Sequence, residues 1–358
     1  MKPVFNAMAG YLGNWADSGY GWLLLRRHAL YGLSATRIMV GVAALGILLT
    51  NFTTRHVVWG PGSFWAEPFR TGHHFESWMA LFAGDNPAWF TLRYLILMAI
   101  AVALTLGWRT RIMCLALAVG LAGMVERANL IGNQGDNIVR IGLLLMVLMN
   151  TAEYWSLDAR RRRRAPEQAR PSMVQRLRWG LPIAPGWMNT GVHNAALIAL
   201  ALQVFILYTA SALYKVQGDL WQHGTALYYP LSLHEYAVVP WLNNLLTSFP
   251  VMLTLATYFA VYVQLFFAVG LLHPVSRRIA LIGIILLHIG IAVLMGLPWF
   301  SLSMIAFDAI FVSSRTYMAL DAWARRTFGP RVKRLRERVG RRSETASQPE
   351  ERVPEPAR

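Results

Sequence analysis

The stretch Ala195–Lys215, AALIALALQVFILYTASALYK, decides how this chain folds. Twenty residues pass with no charge, and the run then ends on a lysine. As a helix rising about 1.5 Å per residue, it matches the roughly 30 Å hydrocarbon layer of a bilayer. Backbone amides in that layer find no water, so the segment must satisfy them internally as a helix. The closing residue is unusual for this chain. Arginine is used 31 times and lysine only three times, at Lys2, Lys215 and Lys333. Arginine stays charged in any protein setting, whereas a partly buried lysine can give up its proton and act as a base.

Seven further apolar stretches accompany this one. The eight together run roughly over 34–52, 89–107, 111–128, 137–152, 194–214, 249–272, 278–296 and 299–314. Only Gly296-Leu297-Pro298 separates the last two, which leaves a re-entrant pair open. The composition agrees, with 55% hydrophobic residues, 15% charged residues and a mean hydropathy of +0.38 over 358 residues. These values exclude an ordinary soluble enzyme. The expected fold is an all-α polytopic membrane bundle of about eight transmembrane helices in a cell membrane.

The formal net charge of +16 could suggest a nucleic-acid partner. Its distribution points instead to membrane orientation. With the N-terminus inside, inner segments hold twenty-seven basic residues and outer segments four: Arg55, Arg70, Arg127 and Lys215. This asymmetry predicts both termini on the cytoplasmic side. The expected organisation is an interfacial segment over 1–31, anchored by Tyr11, Trp15 and Trp22, and a membrane domain over 32–315. A basic cytoplasmic loop occupies 159–192 and includes Arg160–Arg164. A basic tail covers 316–358, its end rich in Ser, Glu and Pro. No cleavable signal is expected, because no sustained apolar core precedes Arg26-Arg27. Cys114 is the single cysteine, which excludes an intrachain disulfide and a multi-cysteine metal site. His73-His74 lacks the accompanying ligands of a metal centre, and none is expected.

Ionisable residues within spans are costly, so each is a functional candidate. The topology places Glu126, Asp136, Asn137, Arg140 and Lys215 near the outer face. Asp136 and Arg140 have the four-residue spacing of a helical ion pair. Asp219, Trp221 and His223 follow Lys215 into an aromatic outer loop. His288 lies mid-span, where hydrogen bonding to a neighbouring helix is the ordinary arrangement. Asp308 lies toward the inner side, expected to cap or pair, and Arg37 is expected to mark the inner interface. A structural reading stands beside the functional one. Asp136, Arg140 and Glu126 could neutralise one another to fix packing, and Lys215 could extend to the headgroups.

Four stretches in order resemble the horizontally transferred transmembrane (HTTM) domain, the membrane part of the vitamin K-dependent gamma-glutamyl carboxylase. They are Asn133–Leu144, Tyr154–Asp158, Tyr208–Lys215 with Asp219, Trp221 and Gly224–Leu227, and His288–Phe300 with Met304-Ile305. The Lys215 stretch is also similar to the bacterial sporulation-delaying protein B family. The resemblance implies that Lys215 is a base acting on a reduced quinone such as menaquinol, with O2 and CO2 as co-substrates, and that His288 is a shared site residue. It also implies an exported peptide or a partner membrane protein. Where the carboxylase has a histidine after asparagine, this chain has Asp136-Asn137. Two functions stay open. One is an enzyme or maturation factor at the outer leaflet, with Asp136 and Arg140 setting the charge of Lys215. The other is a non-catalytic partner, immunity or scaffold protein that retains the bundle.

Overall fold

The computed structural model describes residues 18–62, 82, 86–127, 131–166 and 172–327. The described residues are helical or irregular, with no strand among them. All eight apolar stretches form helices. They are α1 (Leu30–Thr50), α2 (Pro87–Leu106), α3 (Thr110–Arg127), α4 (Gln134–Leu148), α5 (Gly186–Val216), α7 (Pro250–Leu265), α8 (Pro274–Leu294) and α9 (Pro298–Asp308). A further helix, α6 (Pro240–Ser248), precedes α7 and meets it at 101°. The chain divides after Val312, with residues from Ser313 forming a second compact unit. His73, His74, Arg70, Tyr11 and Trp15, and the side chain of Glu126, lie outside the described residues.

Local chemistry sets the helix starts. Proline opens α2, α6, α7, α8 and α9, where its missing N–H has no partner to lose. Asn86 caps α2 by accepting from the Ala88 and Trp89 amides. Asn133 and Asp136 form a reciprocal capping box at α4. The turn that ends α2 needs Gly107, which adopts φ 71°. A Cβ there would also sit 2.9 Å from the Arg37 guanidinium.

Four helices, α1, α2, α5 and α8, are long and apolar enough to cross a membrane, and they mark a membrane protein. Helices α3 and α9 are apolar but shorter. Side-chain placement supports the assignment. On α8 the buried residues Leu281, Ile284 and His288 share one face, while Ile279, Ile282, Leu286 and Ile289 face outward. On α5, Ile198, Leu202, Ile206 and Leu213 do the same. Apolar surface this continuous is untenable in water and ordinary in lipid.

Short helix α9 is the hub. It packs against α1, α4, α5 and α8. Ser301, Ser303, Met304, Ala306, Phe307 and Asp308 are all buried. Glycines allow these contacts. A Cβ on Gly32 would lie 2.6 Å from the Ala309 carbonyl oxygen, and one on Gly142 would overlap the Phe307 ring. The Thr36 hydroxyl donates to the Ala306 carbonyl at 2.7 Å, and Trp299 Nε1 donates to Thr50 Oγ1 at 2.9 Å.

At the opposite end, polar groups tie several helix ends together. Arg37 was expected at an interface but is fully buried. Its Nε donates to the Thr151 carbonyl at 3.1 Å, and its Nη1 to those of Leu104 (2.8 Å) and Thr105 (2.5 Å). Nη2 donates to the Trp155 carbonyl at 2.8 Å. These carbonyls lie at the end of α2 and in the turn after α4, where helix termination leaves acceptors without partners. Asp158 caps the start of α3, accepting from the Arg109 amide at 3.0 Å and from the Thr110 amide and hydroxyl at 2.9 and 2.8 Å. His193 links α5 to its neighbours by accepting from the Asn150 amide (3.0 Å) and donating to the His28 carbonyl (2.9 Å). Asn194 donates to the Trp22, Leu23 and Arg26 carbonyls. The starts of α1, α3 and α5 and the ends of α2 and α4 therefore meet at one end of the bundle.

Candidate functional site

Lys215 occupies the last turn of α5 and is half-buried. Its Nζ donates to Ser211 Oγ at 2.6 Å, one turn back on the same helix. It also donates to Gln264 Oε1 at 2.7 Å, across the boundary with α7. Ser211 itself donates to the same Gln264 oxygen at 3.3 Å. The Trp221 ring lies under the amine, with its centroid 5.4 Å away. Every one of these partners is neutral.

Further along the same face of α5 is Tyr208, seven residues before Lys215. Its hydroxyl donates to Asp308 Oδ2 at 2.8 Å and lies 3.1 Å from His288 Nε2. Tyr208, His288 and Asp308 are each about 1% exposed. The other atom of each flanking group, His288 Nδ1 and Asp308 Oδ1, has no hydrogen-bond partner. Phe267 packs edge-on against Tyr208 at 4.9 Å, and Phe300 against His288 at 6.1 Å. Tyr208 thus ties His288 to the helix that carries Lys215 two turns further on.

The other sequence-predicted residues form a separate group. Asp136 accepts from the Asn133 amide at 2.8 Å, and Asn133 Oδ1 accepts from the Gly135 amide at 2.8 Å. Arg140 donates to Asn137 Oδ1. Asp136, Asn133, Val139, Trp299, Phe300 and Ser303 line a cavity of about 40 Å³. That volume suits a water molecule, not an organic ring system. The Phe300 ring touches this cavity and also faces His288, so it stands between the two polar groups.

The structure thus brings Lys215 and His288 into one neighbourhood and gives Lys215 partners other than Asp136 and Arg140. Asp219 and His223 belong to a short exposed turn, where His223 Nδ1 bonds to the Asp219 carbonyl at 2.7 Å. Trp221 is the loop residue that reaches the amine. Among the described residues, no group of three or more His, Cys, Asp or Glu side chains is arranged to hold a metal ion.

Three participants escaped the sequence reading: Ser211, Tyr208 and Gln264. The first two carry a signal, because positions 208, 211 and 215 recur on one helical face. Gln264 is a lone amide within the apolar run of α7, which is a cue of the same kind. No protein-family model, curated protein or solved structure matches the chain.

Proposed function

We propose that this chain is an HTTM-like multi-pass membrane enzyme in which Lys215 acts as a base on an amphipathic substrate with an acidic hydroxyl. A reduced quinone is the first such substrate to consider. In this reading the eight helices cross the membrane, both termini face the cytoplasm, and Lys215 lies at the outer leaflet.

One observation carries the chemistry. A neutral amine has two N–H donors and one lone pair, and Lys215 has two oxygen acceptors, Ser211 and Gln264. Both acceptors are neutral, and a deprotonated Lys215 keeps both hydrogen bonds with its lone pair left for a substrate proton. A carboxylate partner would instead hold the ammonium form. The substrate would approach from the lipid side, where Lys215 is half-buried at the end of an apolar helix. Trp221 offers an aromatic face next to the amine. When bound, a reduced quinone would supply an acidic ring hydroxyl whose anion is electron-rich enough to react with O2 at a ring carbon. Lys215 would receive the proton, Gln264 and Ser211 would fix the amine, and Trp221 would exclude water.

The test is O2-dependent consumption of menaquinol by the full chain in lipid nanodiscs. Consumption above the protein-free background that disappears in Lys215→Met supports the reading, and a wild-type rate equal to background opposes it.

A second reading is a non-catalytic membrane partner. It is favoured by Asp136, whose carboxylate serves the α4 capping box, and by the closed bonding of Lys215 within the bundle. Lys215→Met would then lower stability or partner assembly, with no turnover to lose.

A further inference from the structure

We propose that Asp308, Tyr208 and His288 form a buried proton relay whose ligand is a single exchangeable proton. The relay goes beyond the role given to Lys215. Its tests use no substrate, so its failure and the failure of the base reading are distinguishable.

The geometry is that of a three-membered chain. Tyr208 has one hydroxyl hydrogen and lies between Asp308 Oδ2 (2.8 Å) and His288 Nε2 (3.1 Å). With no added proton, His288 Nε2–H donates to the Tyr208 oxygen and Tyr208 O–H donates to the Asp308 carboxylate. The cluster then carries one negative charge. Adding one proton neutralises it, and that proton has two homes. In the first, Asp308 Oδ2–H donates to Tyr208, and Tyr208 O–H donates to His288 Nε2. In the second, Asp308 is ionised and His288 holds a hydrogen on both nitrogens. Two short transfers interconvert them: the Tyr208 hydrogen moves to His288 Nε2, and the Asp308 hydrogen moves to the Tyr208 oxygen. Atoms and charge balance, and Tyr208 is left unchanged.

Two further observations support a relay over a static bond network. Its unpartnered atoms, Asp308 Oδ1 and His288 Nδ1, are the two ends of the chain, where a proton would enter and leave. Buried polar atoms are nearly always paired in folded proteins, so two orphans at the termini of one three-residue chain call for an explanation. The surroundings are also suited to holding a proton. Phe267 and Phe300 wall the cluster from α7's extension and α9, and no cation bonds to Asp308. Among the described residues, Lys215, on α5, is the one titratable group outside the cluster whose charge, when it is protonated, reaches His288. Ionisable groups within spans commonly mark proton paths.

The experiment is 15N NMR of histidine-labelled full chain in lipid nanodiscs across pH, with the His288 signal assigned from His288→Gln. The wild type is expected to show His288 titrating in two steps that belong to the coupled pair, separated by about 1 pH unit or more. Tyr208→Phe keeps the ring and removes the link, so His288 should then titrate in one step. Asp308→Asn should give one step as well. A single step in the wild type overturns the relay, as does a two-step curve that survives Tyr208→Phe. Should Asp308→Asn fail to fold, the comparison of wild type with Tyr208→Phe decides the matter.

Discussion

Gln264 accepts a hydrogen bond from Lys215 at 2.7 Å across the α5–α7 boundary, and it does so as a neutral amide. The proposed base role of Lys215 requires that neutrality, and it is open to a direct change. Gln264→Glu is nearly isosteric and would place a carboxylate against the amine, holding it as ammonium. The expected outcome is a folded protein whose menaquinol turnover falls about 100-fold or more. Activity and thermal unfolding measured on the same preparation check it. Retained turnover would show that the charge state of Lys215 is irrelevant.

Arg37 should be the most sensitive structural residue at the other end of the bundle. It satisfies four carbonyls while fully buried. Arg37→Met leaves those acceptors without donors, and a loss of about 3–5 kcal/mol is expected. Arg37→Lys should recover only part, because an ammonium cannot reproduce the planar fork. Unfolding in mixed micelles with rising denaturing detergent reads both.

Gly32 faces backbone, not a flexible side chain. A Cβ would stand 2.6 Å from the Ala309 oxygen and 2.9 Å from the Ile310 Cα. Gly32→Ala should therefore push α1 from the turn that follows α9 and cost about 1–3 kcal/mol. Gly290→Ala is the control, since a Cβ there meets nothing within 4 Å. The same unfolding assay should separate the two variants.

Asp158 holds the start of α3 through two amides and the Thr110 hydroxyl, and it pairs with Arg161 at 3.0 Å. Asp158→Ala should cost about 1–2 kcal/mol as a lost cap. Amide hydrogen exchange should quicken first at Thr110–Met113, before the rest of the helix. Uniform exchange along α3 would contradict a capping role.

Much of the fold was legible because long apolar runs must be helical. The eight apolar stretches are all helical, and four of the helices, α1, α2, α5 and α8, are long and apolar enough to cross a membrane. Apolar length left the starts vague, and the helices open on the prolines at 87, 250, 274 and 298 instead. The site was legible only in part. Lys215 stood out by composition, and His288 by its place in an apolar run. The pairings did not, because Gln264 is 49 residues from Lys215 and Tyr208 is 80 from His288. Spacing suggested an ion pair of Asp136 with Arg140; it did not show that the Asp136 carboxylate also accepts from the Asn133 amide in the α4 capping box. A helix N-terminus offers unsatisfied donors that compete for any nearby acid. Arg37 was misplaced for a related reason: the unpaired carbonyls that draw it inward come from α2 and the turn after α4.

The most direct test of the central claim is menaquinol consumption by Lys215→Arg beside the wild type, in nanodiscs with O2 supplied. Arginine keeps the positive charge and removes the accessible deprotonation. With Lys215 as the base, the wild type turns menaquinol over and Lys215→Arg falls about 100-fold or more with the protein folded. Wild-type turnover by Lys215→Arg would contradict it.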